Sequence, residues 1–227
     1  MYKLKAVVIE TDSRSRIKLK QAMAICGSFT SPVFCRDFTE GSAVIHGGSD
    51  YDVVFIAERA GPEHVAAFLE KARQSPYSKH AAYVIIQDAS QKTRALVGAK
   101  VLDGIHAFLY EPYSVDDVIS IARIAGQVKL SHLRAREKAA VTLVLKDSMI
   151  QIDKIALLQI RGNPVERELE RLDKMCASLD KVKTLTPDLF GEAATAAFAQ
   201  APRPQSSVEY QEYGGVSRRV QAKLDEK

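Results

Sequence analysis

Apolar residues in this chain come first as short unbroken runs and later as long interrupted ones, and that change divides it. Val53-Val-Phe-Ile56 is too short for a helix and lies between Gly47-Gly48-Ser49-Asp50 and the breakers Gly61-Pro62. Such a run predicts a strand buried on both faces, in the middle of a parallel sheet. Residues 5–9, 32–36, 82–86 and 105–110 repeat the pattern. Between them the spacing predicts helices. The first runs from an N-cap at Ser13 to Cys26, with Ile17, Ala24 and Ile25 inward and Gly27 as its stop. A short helix over 39–46 follows, then one over 63–73 with Val65, Phe68, Leu69 and Ala72 on one face, and one over 91–102 carrying Leu96, Val97 and Val101. Ser114-Val-Asp-Asp117 forms a capping box ahead of Val118-Ile119. Strands alternating with helices across short connections predict an α/β fold, a five-stranded doubly wound parallel sheet over residues 1–126.

After Gly126 the pattern changes. No proline or glycine interrupts residues 127–160, which carry Val141, Leu143, Leu145, Ile150, Ile152, Ile155 and Leu157. The alternation at Val141-Thr-Leu143-Val-Leu145 suits a strand, but the length and the missing breakers predict helix. Gly162-Asn163-Pro164 stops it. A second helix over 165–185 places Val165, Leu169, Leu172, Met175 or Cys176, Leu179 and Val182 on one stripe. Thr186-Pro187 opens a third, short helix with Leu189, Phe190, Ala193, Ala197 and Phe198. Residues 127–200 therefore read as a helical hairpin or coiled-coil region for dimerisation or partner binding. Pro202, Pro204 and the serines between them and Val208 give 201–227 the composition of a flexible tail. Val216, Val220 and Leu224 there share the spacing of a short terminal helix.

Composition narrows the function classes. The net charge of +4 is spread along 227 residues, so nucleic-acid affinity is not signalled. Cys26, Cys35 and Cys176 are odd in number and far apart, which fits free thiols in a reducing compartment rather than a disulfide framework or a zinc site. No apolar run reaches membrane-spanning length, and the chain opens directly on a strand, so a soluble cytoplasmic protein is expected.

In open α/β sheets the functional site lies at the carboxyl ends of the strands. Those ends carry Glu10-Thr11-Asp12, Ala57-Glu58, Asp88-Ala89-Ser90 and Glu111-Pro112. In order, element lengths and turns, the first 125 residues or so resemble the receiver domain of bacterial response regulators. The resemblance implies acidic residues after the first strand that bind magnesium and an aspartate ending the third that accepts phosphate. It also implies a threonine or serine ending the fourth, and a lysine before a proline, usually in cis, ending the fifth. Phosphoryl transfer to a carboxylate needs that carboxylate, a metal to spread the phosphate charge and a cation to hold the product. Here the first acidic position is Glu10 and the second is Thr11, with Asp12 further round the turn. The acceptor position is Ala57, or Glu58 after a one-residue slip supported by Pro62. The hydroxyl position falls at Asp88 or Ala89, and the lysine is Glu111.

Four departures in one site predict a degenerate pocket, a pseudo-receiver with no catalytic residue, no metal site and no cofactor. Glu58 either imitates a phosphorylated aspartate or is a solvated charge, and the second reading is preferred. Glu10, Asp12, Glu58 and Glu111 should gather at one rim without the lysine, so Glu111→Lys should relieve repulsion and stabilise the domain. Phe108 and Tyr110 on the fifth strand, with Leu169, Leu172 and Leu179, are the partner-binding candidates. His132 reads as a surface histidine beside two arginines. Arg134, Arg136 and Lys138, and Arg218-Arg219, read as solvated helix faces. The main reading is a non-catalytic signalling or scaffold protein that docks protein partners and forms a homodimer. The alternative is an RNA- or DNA-binding regulator, an antiterminator-like pseudo-receiver with a coiled coil. The near balance of charge after Gly126 counts against it.

Overall fold

The computed structural model describes residues 3–91 and 104–199. The helix expected over 91–102, beyond Gln91, and the tail over 201–227 lie outside the described residues. The chain forms two compact units, the first running to His132 and the second beginning at Leu133.

In the first unit, strands β1 (Leu4–Ile9), β2 (Phe29–Cys35), β3 (Val53–Ala57), β4 (Ala82–Asp88) and β5 (Ala107–Glu111) pair in parallel, in the order β2-β1-β3-β4-β5. That order is the flavodoxin-like doubly wound arrangement. Helices α1 (Ser13–Cys26), α2 (Phe38–His46), α3 (Pro62–Gln74) and α4 (Val115–Ile160) follow four of the strands. Alternate residues of each strand serve opposite faces. Ala6, Val8, Phe55, Val84 and Leu109 pack with Leu19 and Met23 of α1 and with Val118 and Ile121 of α4. Val7, Ile9, Val54, Ile56 and Ile85 pack with Ile45 of α2 and with Val65, Phe68 and Leu69 of α3. Both faces are covered, which is why the strands read as unbroken apolar runs. Helix α2 comes so close to β1 that a Cβ on Gly41 would stand 2.8 Å from Ile9 Cδ1.

Local details correct the sequence reading. The N-cap of α1 is Asp12, not Ser13, and its carboxylate accepts from Ser15 N at 2.8 Å. The helix buries Ser15, Leu19, Ala22 and Met23, whereas Ile17 and Ile25 are 57% and 72% exposed and Ala24 is exposed. Ser15, Leu19, Ala22 and Met23 recur at i, i+4, i+7 and i+8, and Ile17, Ala24 and Ile25, each two positions from one of them, point away. Strand β2 starts at Phe29 and runs through Pro32. An edge strand tolerates the missing N–H, and Ser31, at φ 42°, supplies an irregularity in the pairing with β1. Strand β4 continues through Gln87-Asp88, and β5 starts at Ala107 rather than Ile105. The face of α3 and the capping box at Ser114 are as expected, with Asp117 accepting from Ser114 N and Oγ at 2.8 Å.

The helix after the fifth strand runs on through Gly126. Helix α4 is continuous over 46 residues, and its later turns belong to the second unit. There Val141 and Leu145 of α4 pack with Leu179 and Val182 of α5 (Glu166–Leu185) and with Leu189, Phe190 and Ala193 of α6 (Pro187–Ala199). Gln151 Nε2 donates to Glu168 O at 3.2 Å, and Lys154 pairs with Glu168 at 2.9 Å. The stripe on α5 is only half used. Leu172, Met175, Leu179 and Val182 are half-buried, Leu169 is 41% exposed, and no residue of α5 is fully buried.

Candidate functional site

The carboxyl ends of β1, β3, β4 and β5 converge, and what gathers there is organised by Arg59. It sits two residues past the end of β3, in a 3-10 turn over Glu58–Ala60. Its guanidinium forms a salt bridge with Glu111, the last residue of β5, and lies 3.8 Å from Asp12 Oδ2. Glu111 therefore has a cationic partner, which corrects the expectation of an acidic rim without one. The cation comes from the loop after the third strand, not from the end of the fifth, where the receiver resemblance implies it. Asp88 is in register with Glu111 across the last strand pair. Asp12, Asp88, Glu111 and Arg59, with Arg14 and Lys18 of α1, are among the residues lining a groove of about 720 Å3.

Glu10 is 1% exposed. One carboxylate oxygen, Oε1, accepts from Asp12 N at 3.0 Å, and Oε2 is buried with no hydrogen-bond partner among the described residues. Arg16 Nη1 donates to the Glu10 carbonyl at 2.8 Å rather than to its carboxylate. Burial raises the Glu10 pKa, and the Asp12 N–H and the charge of Arg59 offset that only in part. Asp12 goes the other way, because its bonds from Ser15 favour the anion, with help from Arg59. Asp88 is lowered by bonds from Ser90, again with a contribution from Arg59. Tyr113, just past Pro112, donates to Ser15 O at 3.2 Å. Burial, with the nearby Glu10 charge, pushes its phenol up to about 12.

Ala57 ends β3 and is buried, so a methyl group stands where the third strand closes. Glu58 opens the turn and is half-buried, which corrects the reading of it as a solvated charge. Thr11 is exposed, and Ala89 begins a short 3-10 turn. The Glu111–Pro112 peptide is cis. A magnesium ion of the kind the receiver resemblance implies does not fit this arrangement. The Arg59 guanidinium, bound to Glu111 and 3.8 Å from Asp12, puts a positive charge beside both carboxylates that opposes a cation there, and among the described residues no group of three or more His, Cys, Asp or Glu is placed to hold a metal.

Of the partner-binding candidates, Phe108 and Tyr110 are half-buried on β5 with rings stacked at 6.1 Å and 18°. Leu172 and Leu179 are half-buried and Leu169 is exposed. Arg134 and Lys138 both pair with Glu192, at 2.7 and 3.2 Å, so that stretch of α4 is partly neutralised. Arg218-Arg219 lies outside the described residues. His132 is half-buried against the ring of His80, at 4.9 Å, not a surface residue as expected. Arg59 and Tyr113 belong to the site without being announced by the sequence. Each stands within two residues of a candidate strand end, but nothing local marks either as facing the other strands' loops. Among the described residues, no helix is long and apolar enough to cross a membrane.

No protein-family model matches the sequence, and no curated protein does. Solved structures do. An adenylate cyclase from Rhodopirellula baltica is 17% identical at a TM-score of 0.50, over 59% of this chain and 96% of that one. A chemotaxis response regulator of Vibrio cholerae is 11% identical at 0.47, over 54% and 98%. A response regulator receiver domain protein from Clostridium thermocellum is 22% identical at 0.45, over 57% and 98%. At these identities the likeness concerns the fold, which the strand order shows independently.

Proposed function

We propose that the first unit is a phosphorylation-independent pseudo-receiver in a signalling or scaffold protein, and that the helical unit joins two copies or holds a protein partner. The observation that carries this reading is the Arg59 bridge. The positive charge at the strand ends is a side chain of the protein, bound to Glu111 and beside Asp12, while the third strand ends in a methyl group. A site whose Glu111 and Asp12 already have a cationic side chain beside them, and which has no carboxylate at the end of β3 itself, is suited to holding one conformation rather than to cycling a phosphoryl group. The continuity of α4 supports a link between docking on the sheet and the state of the helical region. Arg134 and Lys138 share the Glu192 carboxylate, which lowers the positive charge this stretch offers to phosphates and supports a protein partner over nucleic acid.

The test is incubation of the full chain with acetyl phosphate and magnesium, followed by intact-mass measurement. No acid-labile, phosphate-sized mass increase is expected. A stoichiometric increase, localised to Glu58 or Asp88, would overturn the reading.

A further inference from the structure

At the amino-terminal ends of β4 and β5, away from the Arg59 groove, the fold collects three histidines. His80 precedes β4, His106 precedes β5, and His132 comes from α4. His106 grips one residue of β4 twice. Its backbone N donates to Tyr83 O at 2.9 Å, and its ring Nδ1 accepts from Tyr83 N at 3.0 Å. The second bond requires an unprotonated Nδ1, so the ring is neutral with its proton on Nε2. Tyr83 is 2% exposed, so its N–H has no water to turn to. The same ring stacks on Tyr83 at 6.1 Å and 29°, and the rings of His80 and His132 lie 4.9 Å apart.

Among the described residues, the charges that reach His106 oppose a further proton. Arg73 of α3 places its guanidinium 5.7 Å over the Tyr83 ring. Lys129, one turn before His132, is paired with Asp52 at 2.9 Å, and Asp52 also accepts from Lys5 N at 2.9 Å, so that carboxylate is already engaged. His106 is exposed as a residue, but desolvation of its ring, with the charges of His132 and Arg73, lowers its pKa.

We propose that His106, with His80 and His132 around it, is an acid-sensitive latch that holds α4 against the amino-terminal ends of β4 and β5. A proton on His106 Nδ1 removes the acceptor of the Tyr83 N–H and adds a positive charge beside His132 and Arg73. The bond is lost, and the turn of α4 that carries His132 is repelled. Because the pKa is lower in the folded chain, the stabilisation is full above the unfolded histidine value of about 6.5. It is lost as pH falls below that value towards the folded one. Acidification within the range histidines sense would therefore free this part of α4 while the centre of the sheet stays intact. The latch does not depend on whether the Arg59 site accepts phosphate.

Amide hydrogen exchange of the full chain, corrected for intrinsic rate, tests it between about pH 7.5 and about pH 5. The Tyr83 amide and residues 125–132 should lose protection on acidification, while amides of β1 and β3 keep theirs. His106→Asn, whose side-chain oxygen can accept from Tyr83 N without titrating, should flatten the response. The proposal is overturned if Tyr83 tracks β3 throughout, or if His106→Asn responds as the wild type does. Should that variant fail to fold, the wild-type His106 ring resonance decides. A titration midpoint below about 6.5 is expected. One at or above it, or one that His132→Gln leaves unchanged, overturns the latch.

Discussion

Replacing Glu111 with Lys separates two accounts of the strand-end site. If the rim were a cluster of unpaired carboxylates, a lysine would relieve repulsion and raise stability. The structure reverses that sign, because Glu111 is bound to Arg59. Opposite charges about 4 Å apart attract by about 4 kcal/mol at an effective dielectric near 20. Arg59 is 41% exposed and Asp12 39%, so solvent reduces the net worth of the pair to about 1 kcal/mol. Glu111, at 17%, is the more enclosed partner. Reversing its charge replaces attraction by repulsion of similar size, a total loss of about 2 kcal/mol. At about 2–4 °C per kcal/mol, the melting temperature should fall by about 4–8 °C. Thermal melts of the full chain at low and high salt measure this, and added salt should shrink the loss. A double-mutant cycle with Arg59→Ala should return a coupling of about 1 kcal/mol between positions 59 and 111. A rise in melting temperature for Glu111→Lys at low salt would refute the Arg59 account and restore the acidic rim.

Glu10→Gln should stabilise the first unit near neutral pH by about 1 kcal/mol, since the amide keeps an oxygen for Asp12 N and removes a buried charge. The Glu10 pKa is raised, so its contribution is fully present below the unfolded value of about 4.5 and is lost as pH rises through the folded one. The gain should therefore vanish in urea melts near pH 4, and an equal gain at both pH values would contradict the assignment. The helical unit should make the protein a dimer, because α4 leaves Leu143 and Ile150, one heptad apart, 60% and 55% exposed. Light scattering at about micromolar concentration should give two chains per particle, and Leu143→Lys with Ile150→Lys should give one. A single-chain mass for the wild type would count against it.

The sequence alone determined the parts of this protein whose causes are local. The unbroken run at Val53 announced a strand covered on both faces, and Gly27 and the Ser114–Asp117 box marked helix ends, because capping and backbone geometry act within a few residues. The face of α3 was legible too, since Val65, Phe68, Leu69 and Ala72 are its apolar positions at helical spacing. Helix α1 was not, because Ile17, Ile25 and Leu19 are equally apolar. Only the Asp12 cap and the position of the sheet decide which of them turns inward. The candidate site was legible as a set of strand ends and illegible as an electrostatic unit. Glu111 and Arg59 are 52 residues apart in sequence, and it is the parallel order β1-β3-β4-β5 that sets their loops side by side. A charge's sign is written in the chain, but its partner is chosen by topology. The Tyr83–His106 pair follows the same rule: a backbone N–H and an imidazole nitrogen meet because β4 and β5 are neighbours, and no spacing of residues could have announced it.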